Sequence, residues 1–413
     1  SRVTPAFTKQ DGVDYIPLPT WKIFMIQFLN IAGLGPIFGA IMGAKFGVAS
    51  FLWIVLGSIF AGATHDFLSG MLSLRHDGES LPELIGRYLG NNFKQFMRGF
   101  TVILMILVGA VFVAGPAGLL AKLTPEYLDA TFWIIVVFIY YILATLLPVD
   151  KIIGKIYPLF AIALLFMAVG ILVMLFINQP PLPEITDGLS NTHPGGLPIF
   201  PIMFVSIACG AISGFHATQS PLMARCMKSE KYARPVFYGA MITEGIVALI
   251  WAAAAMGVYN LGLQEVNASL ATGTIGVICK DILGPVGGII ALVGIIVLPI
   301  TSGDTALRGL RLAISEALHI DQSTKIKRVG LSAIIFALVA VILVFAKMNS
   351  EGFNILWRYF AWSNQTLSLF AFLAITVWMF ENGKGKYAWM PMIPGGFYCF
   401  ICSTYIANAQ IGF

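Results

Sequence analysis

Four ionisable side chains stand inside long apolar stretches of this sequence. Asp66, Glu244 and Asp304 carry carboxylates, and His216 carries an imidazole. An ionisable group inside the hydrocarbon of a bilayer is costly and is by default a candidate functional residue. Histidine titrates near physiological pH, so His216 is a candidate for proton or substrate contact, although a lone histidine is often a satisfied core residue. The chemistry these residues predict is proton exchange or cation binding.

The stretch around Asp304 is the richest in polar groups. Its hydroxyl and guanidinium neighbours are Thr301, Ser302, Thr305, Arg308 and Arg311. Spacings of four and three residues place Asp304 and the two arginines on one helical face. Hydroxyls and freed carbonyls suit Na⁺, whereas an aspartate at this position suits either Na⁺ or a titrating proton. The alternative is a structural Asp304–Arg308 ion pair.

The other charged candidates also have two interpretations each. Asp66, next to His65, either carries a proton or caps a helix or anchors a loop near the cytoplasmic mouth. Glu244 is too deep in its apolar run to reach water easily, and it is either a proton carrier or a hydrogen-bonded packing residue. Lys155 either places an ammonium near Asp304 or snorkels to the cytoplasmic surface.

Two further groups of polar side chains interrupt apolar stretches and are candidates for binding a substrate. They are Ser213, His216, Gln219, Asn364 and Gln365. Arg358 either attracts an anionic substrate or anchors the chain at the interface.

The elements that must position these residues are membrane-spanning helices. Of 413 residues, 58% are hydrophobic and 11% are charged, less than half the charged fraction of soluble domains, which is about 25%. Eleven apolar segments have the length of a bilayer span, about 20 residues. In chain order, span one to span eleven are 21–44, 49–73, 93–120, 131–148, 154–177, 199–224, 236–259, 286–318, 328–346, 353–380 and 390–407. Basic residues concentrate in alternate loops, which predicts a cytoplasmic N-terminal segment.

Two of the spans are predicted to be broken at their centres. Glycine and proline at mid-span disfavour a continuous helix, and such a break is tolerated only where it faces protein or a wet cavity. The residues are Ala32, Gly33, Gly35 and Pro36 in span one, and Gly210, Gly214 and Pro221 in span six. The alternative is that the glycines serve close helix packing, since Gly35, Gly39 and Gly43 have small-xxx-small spacing.

The two breaks are five spans apart, an odd number, so the second copy is inverted relative to the first. Paired breaks in inverted halves point to a secondary transporter with its substrate between them. The repeats are predicted at 21–177 and 199–380, with an additional helix at 390–407. Half-helix N-termini at the breaks favour a carboxylate-bearing substrate.

Seven strings resemble the carbon starvation protein A (CstA) family of bacterial inner-membrane transporters. They are DGVDYIP at 11–17, AGLGPIFG at 32–39, AGATHDF at 61–67, RHDGESLPELI at 75–85, SGFHATQSP at 213–221, GDTALR at 303–308 and WSNQTL at 362–367. Two departures are Ile26-Gln27, where longer members have a His-His pair, and His65, where many have glutamine.

The resemblance implies a LeuT-like five-plus-five inverted repeat and alternating access. It also implies uptake of short peptides during starvation, with pyruvate–proton symport as the second choice. Proton coupling is favoured over sodium coupling, and a Na⁺-coupled amino-acid or peptide symporter is a further alternative. The expected partners are a small carboxylate-bearing substrate and the lipid bilayer, with no nucleic acid and no cofactor beyond the coupling ion.

Other classes of function fit less well. Ser213 and His216 would meet only on a continuous helix, and no GxSxG surrounds Ser213, so an intramembrane hydrolase is not expected. The five histidines lack ligand spacing, so no metal site is expected. Nothing resembles the symmetric pore or re-entrant filter of a channel.

Overall fold

Helices build every predicted span, in a computed structural model that describes residues 2–146, 153–262, 271–279, 283–322, 324–348 and 352–408. No strand occurs in those ranges, so the predicted all-α class is confirmed. The helices of spans one to six are Thr20–Ile31 with Gly35–Ala44, Val48–Arg75, Asn91–Leu123, Ala130–Leu146, Ile153–Asn178, and the stretch 199–206 with Gly214–Ala224. Those of spans seven to eleven are Glu230–Asn260, Gly284–Ala317, Lys325–Met348, Gly352–Glu381 and Trp389–Asn408.

Not every helix meets a strict test of length and apolarity for crossing a bilayer. Among the described residues seven do, and an eighth is added if the bent pair in span one counts as one span. The number of spans therefore stays a prediction, as do the boundaries of the two repeats. The short helix Leu81–Leu89 leads into span three, and Pro5–Thr8 and Ala271–Val277 are also short helices.

Span three packs along span eight at the centre of the molecule. The fully buried Tyr141 of span four ties these two helices together, because its hydroxyl lies 3.1 Å from the carbonyl oxygen of Phe112 and 3.0 Å from that of Pro299. Spans five and nine instead leave large apolar side chains exposed, among them Phe176 and Val341. Such faces in a membrane protein contact lipid, so the polar groups described below are screened by a shell of apolar helices.

The N-terminal segment folds back across the end of span six. Asp11 Oδ1 accepts the backbone N–H groups of residues 13, 14 and 15 at 2.8–2.9 Å, which shapes a tight turn. The N–H of Leu18 donates to the carbonyl of Cys226 at 3.1 Å. The turn leaves Asp14 only 5% exposed.

Candidate substrate and ion-coupling site

Span one is broken where the sequence predicts it. Its two helices meet at an angle of 52°, and Ala32 ends the first with the non-helical angles φ −79° and ψ 45°. Gly33 is packed so tightly that a Cβ there would lie 2.9 Å from the ring of Phe112 and 3.1 Å from the Ser302 hydroxyl oxygen. The break therefore abuts spans three and eight.

Span six is interrupted over residues 207–213, between the stretch 199–206 and Gly214–Ala224. Gly210 adopts φ +86°, a left-handed conformation that side chains disfavour. Gly214 starts the second half, and a Cβ there would lie 2.2 Å from the carbonyl oxygen of Asn364. These two glycines are thus required by backbone shape and by close packing on span ten.

The two breaks lie against each other. A Cβ at Gly35 would be 2.0 Å from Cys209 Cβ, and one at Gly39 would be 3.1 Å from the carbonyl oxygen of Ser206. A Cβ at Gly43 would meet the Ile207 side chain at 2.5 Å. The small-residue seam is therefore present, and it joins span one to span six. This packing accounts for Gly35, whose contact with substrate stays a prediction.

Asn364 of span ten braces the second break from both sides. Its Oδ1 accepts the backbone N–H of Phe215 at 2.6 Å and the hydroxyl of Ser213 at 3.0 Å. Its Nδ2 donates to the carbonyl of Ala208 at 3.0 Å. Since the side chain is fully buried, this amide replaces helical hydrogen bonds that the interruption removes. The sequence selects Asn364 as polar, and the structure gives it a positioning task.

Asp66 lies at the second break and not at a helix end or loop. It is fully buried inside Val48–Arg75, so the helix-capping or loop-anchoring interpretation is wrong. Its two carboxylate oxygens each face an imidazole: Oδ1 is 2.8 Å from His65 Nδ1, and Oδ2 is 2.8 Å from His216 Nδ1. Spans two and six thus share one carboxylate between two histidines.

Glu244 of span seven completes this group from the opposite side of His216. Its Oε2 is 3.5 Å from His216 Nε2, and its Oε1 accepts the N–H of Gly210 at 3.2 Å. Both residues are fully buried. Among the described residues, the ion pairs of these two carboxylates are with imidazoles alone. We call Asp66, His65, His216 and Glu244 the second-break cluster.

The polar groups of span eight form a separate site behind the first break. Asp304 Oδ2 accepts a 2.6 Å hydrogen bond from the hydroxyl of Tyr157 in span five, which is not among the predicted site residues. Ser302 donates to the carbonyl of Leu29 at 3.0 Å, at the end of the helix before the break. Thr301 and Thr305 donate to backbone carbonyls of their own helix.

The two arginines of this helix reach the N-terminal segment. Arg308 is 3.7 Å and Arg311 is 3.8 Å from carboxylate oxygens of Asp14. Arg308 also donates to the carbonyl of Ala144 at 2.7 Å. We call Asp14, Arg308 and Arg311 the N-terminal cluster, and all three side chains are almost fully buried.

Several buried amides have polar atoms without hydrogen-bond partners in the described part of the chain. Both side-chain polar atoms are unpartnered in Gln27 and Asn30, and Oε1 is unpartnered in Gln219 and Gln365. Because such groups are rare, each calls for an explanation such as a ligand or a bound water. Asn30 lies directly before the first break, a position that would have been a usable signal. In the sequence, Gln27 stands out only as a departure from the family, and Asn30 is not among the predicted site residues.

Three remaining predictions fall elsewhere. The Lys155 side chain lies outside the described residues. Arg358 is exposed on span ten. The Ser213 hydroxyl donates to Asn364 while His216 Nδ1 faces Asp66, an arrangement unlike a nucleophile–base pair.

The family model of the carbon starvation protein CstA matches residues 1–126, 119–282 and 261–405. An uncharacterized membrane protein of Haemophilus influenzae is 44% identical over 63% of this chain and 83% of its own length. The peptide transporter CstA of Helicobacter pylori is 30% identical over 64% of this chain and 47% of its own length. The pyruvate/proton symporter BtsT of Escherichia coli is 28% identical over 60% and 44%. The chain thus spans about half the length of these two named transporters.

Two solved structures share the fold. A manganese transporter of Eremococcus coleocola has a TM-score of 0.66 at 12% identity, covering 98% of this chain and 92% of its own. MhsT in complex with L-phenylalanine has a TM-score of 0.65 at 16% identity, covering 93% and 98%. Both are transporters of the LeuT fold, which confirms the expected architecture. With its family model matched along nearly the whole sequence, this chain belongs to the carbon starvation protein CstA family.

Proposed function

We propose that this protein is a secondary active transporter that takes up a small carboxylate-bearing nutrient together with protons. Short peptides are the first choice of substrate, and pyruvate is the second. The observation that carries the proposal is the second-break cluster. It places two carboxylates and two imidazoles, all fully buried, at the interruption of span six.

The cluster is suited to proton exchange because it contains no arginine or lysine, whose charge would be permanent at neutral pH. Histidine changes its charge in the physiological pH range. Asp66 and Glu244 contact opposite nitrogens of His216, so one imidazole connects two carboxylates. A proton arriving at Glu244 can therefore alter the hydrogen bonding of Asp66 and of the helix that carries His216. This is a direct link between protonation and the shape of a broken helix.

The first break supports a substrate with carboxylate and amide groups. The unpartnered amides of Gln27 and Asn30 lie on the helix that leads into it. Amide side chains offer both donors and acceptors, which matches a carboxylate, a peptide bond or a 2-oxo acid. The relatives named for peptides and for pyruvate have substrates that share the carboxylate.

The proposed setting is a bacterial inner membrane, with the N-terminal segment on the cytoplasmic side. The alternation of basic loops supports this orientation. The substrate would approach between the two breaks while the N-terminal cluster closes the opposite side.

The test is uptake into proteoliposomes containing the full chain. Labelled dipeptide and labelled pyruvate are compared under an inward pH gradient without sodium, and under a sodium gradient without a pH gradient. We expect dipeptide to accumulate under the pH gradient and Glu244→Gln to abolish this accumulation. Glu244→Gln should still exchange external for internal substrate, because exchange needs no net proton movement.

Three results would change the proposal. Accumulation of pyruvate alone would move the substrate to the second choice. Accumulation under the sodium gradient alone would transfer the coupling role to the hydroxyls around Asp304. Accumulation of neither compound would refute the proposed uptake of peptides or pyruvate.

A further inference from the structure

One sulfur, one nitrogen and one oxygen atom, each able to bind a metal, converge at the second break. They are the sulfur of Cys209, the imidazole nitrogen Nε2 of His216 and a carboxylate oxygen of Glu244, and they lie within 4.8 Å of one another. We propose that this site binds a divalent transition-metal ion of the zinc type, and that the bound ion arrests transport. The arrest rests on the proposed function, whereas the binding does not.

One donor–donor distance already matches that of a metal site. Zinc bonds to nitrogen, oxygen and sulfur are about 2.0–2.3 Å long, so tetrahedral ligands lie roughly 3.3–3.8 Å apart. His216 Nε2 and Glu244 Oε2 are already at 3.5 Å. Cys209 lies in the interrupted segment 207–213, with its sulfur within 4.8 Å of the other two donor atoms. Three protein ligands leave a fourth position open, as in zinc sites that exchange a ligand.

Asp66 prepares the histidine for such a role. A metal-bound histidine usually gives its second ring nitrogen to a carboxylate, which fixes the tautomer and the ring orientation. Asp66 Oδ2 lies 2.8 Å from Nδ1 of His216, on the far side of the ring from Glu244. With the proton on Nδ1, the lone pair of Nε2 points toward Cys209 and Glu244. His65, on the other oxygen of Asp66, steadies that carboxylate in turn.

Two of the three donors meet in a long contact. Nε2 of His216 and Oε2 of Glu244 are fully buried and face each other at 3.5 Å, a separation longer than that of a normal hydrogen bond. Leaving a buried polar atom without a good hydrogen bond is costly. A cation between them would satisfy both atoms at once. This long, buried contact beside a thiol separates the site from a chance meeting of polar residues.

The mixture of donors selects the class of metal. Thiolate and imidazole suit zinc, cobalt and similar ions, whereas calcium and magnesium require oxygen ligands. Metal binding releases the thiol proton of Cys209, because the thiolate is the ligand. The carboxylate and thiolate charges of the ligands would then balance the charge of the divalent ion.

A bound ion would join parts that must move separately. Cys209 precedes Gly210 and His216 follows it, so the ion would bridge the interruption of span six, and Glu244 would tie it to span seven. The ion would also occupy the nitrogen and oxygen at which the proposed proton enters. Both effects arrest transport.

The binding test uses full-length protein in detergent and Co²⁺ as an optical probe. We expect a saturable thiolate-to-cobalt charge-transfer band with one ion per chain, which Zn²⁺ abolishes by displacement. Cys209→Ser and Cys209→Ala should lose the band, and Glu244→Gln should weaken binding by about tenfold or more. Cys226→Ser removes another fully buried thiol and should keep the band. Absence of saturable binding, or a band that persists without Cys209, would overturn the proposal.

The arrest is tested by the ratio of uptake with and without Zn²⁺ in each variant. We expect saturating Zn²⁺ to lower uptake by about tenfold or more in the Cys226→Ser protein and to change it little in Cys209→Ser. Binding without inhibition would refute the arrest and leave the metal site in place. If no variant takes up substrate, the proposed function fails, and the optical titration still decides the site.

Discussion

The second-break cluster and the N-terminal cluster are both buried groups of charge, yet their chemistry differs. The first combines Asp66 and Glu244 with two histidines, whereas the second combines Asp14 with Arg308 and Arg311. A guanidinium stays charged at every pH a cell meets, whereas an imidazole does not. The first cluster therefore contains groups whose charge can change near neutral pH. In the second cluster the arginine charges are permanent, so its ion pairs are either formed or broken.

Under the proposed function, this difference suits each cluster to a separate task. Exchangeable charge at the break in span six suits coupling to an ion. Permanent charge between span eight and the N-terminal segment suits a latch that closes one side of the molecule. Variants in the two clusters should therefore affect different measurements.

The largest effect is expected for Asp66→Asn. The change leaves two buried imidazoles without their shared carboxylate, and removing one partner of a buried charged group costs about 3–5 kcal/mol. Proton-driven uptake should fall by about a hundredfold or more in proteoliposomes. Ser69→Ala, on the same face of span two, is the matched control and should keep uptake and melting temperature near those of the original chain. Undiminished uptake by Asp66→Asn would place coupling outside the second-break cluster.

Asp304→Asn should have a smaller effect on uptake and a clear one on stability. The Tyr157 hydroxyl would then donate to a neutral amide oxygen, and a hydrogen bond to a charged group is worth about 1.5–3 kcal/mol against about 0.5–1.5 kcal/mol for a neutral one. The unfolding transition in detergent should shift accordingly, and Tyr157→Phe should shift it in the same direction. If Asp304→Asn abolishes uptake while Tyr157→Phe does not, the coupling site lies on span eight and the comparison between the clusters must be redrawn.

Asp14→Asn should loosen the latch without touching the second break. The distances of 3.7 and 3.8 Å to the arginines indicate a moderate interaction, so we expect about a tenfold shift, equivalent to 1.4 kcal/mol. The Sγ of Cys226 lies 3.7 Å from the carbonyl oxygen of Asp14 and reports on this contact. Its labelling by a thiol reagent should accelerate about tenfold, with Cys226→Ser as the blank. An unchanged rate would show that the N-terminal segment stays in place without the ion pair.

The smallest effect is expected for a charged group outside the membrane. Burial raises the pKa of Glu83, but hydrogen bonds and charges from Lys94 and Arg98 outweigh it, so the pKa lies below the ordinary value of 4.5. A depressed pKa adds stability above that ordinary value, and the contribution is lost as the pH falls through the folded pKa. Glu83→Gln should therefore lower stability by about 0.5 kcal/mol at neutral pH. Melting curves should converge for the two proteins in acid, and a gap that widens there would contradict this assignment.

The sequence predicts the architecture better than it predicts the partners within the site. Mid-span glycines locate both breaks. Gly210 adopts a left-handed backbone conformation that side chains disfavour, and Gly33 is too crowded to accept a side chain. The sequence also selects Asp66, His216 and Glu244 one by one. Their meeting depends on the packing of spans two, six and seven, which no spacing within one helix can show. Tyr157 escapes notice for a related reason, since a tyrosine in an apolar span resembles ordinary core.

The partners of the span eight arginines could not be predicted from the sequence. Helical spacing correctly puts the two arginines on one face, but their recorded carboxylate partner, Asp14, is almost three hundred residues earlier in the chain. Sequence periodicity describes a helix surface and not what lies opposite it. The orphan amides of Gln27 and Asn30 are similarly visible only once burial is known.

The contact between Gly35 and Cys209 has a consequence for how this protein can evolve. Because a Cβ at position 35 would lie 2.0 Å from the Cβ of residue 209, the two positions share one fixed volume. A larger residue at 35 becomes tolerable when 209 loses its side chain, so substitutions at these sites should be inherited as pairs. Positions 35 and 209, far apart in the sequence, should therefore co-vary.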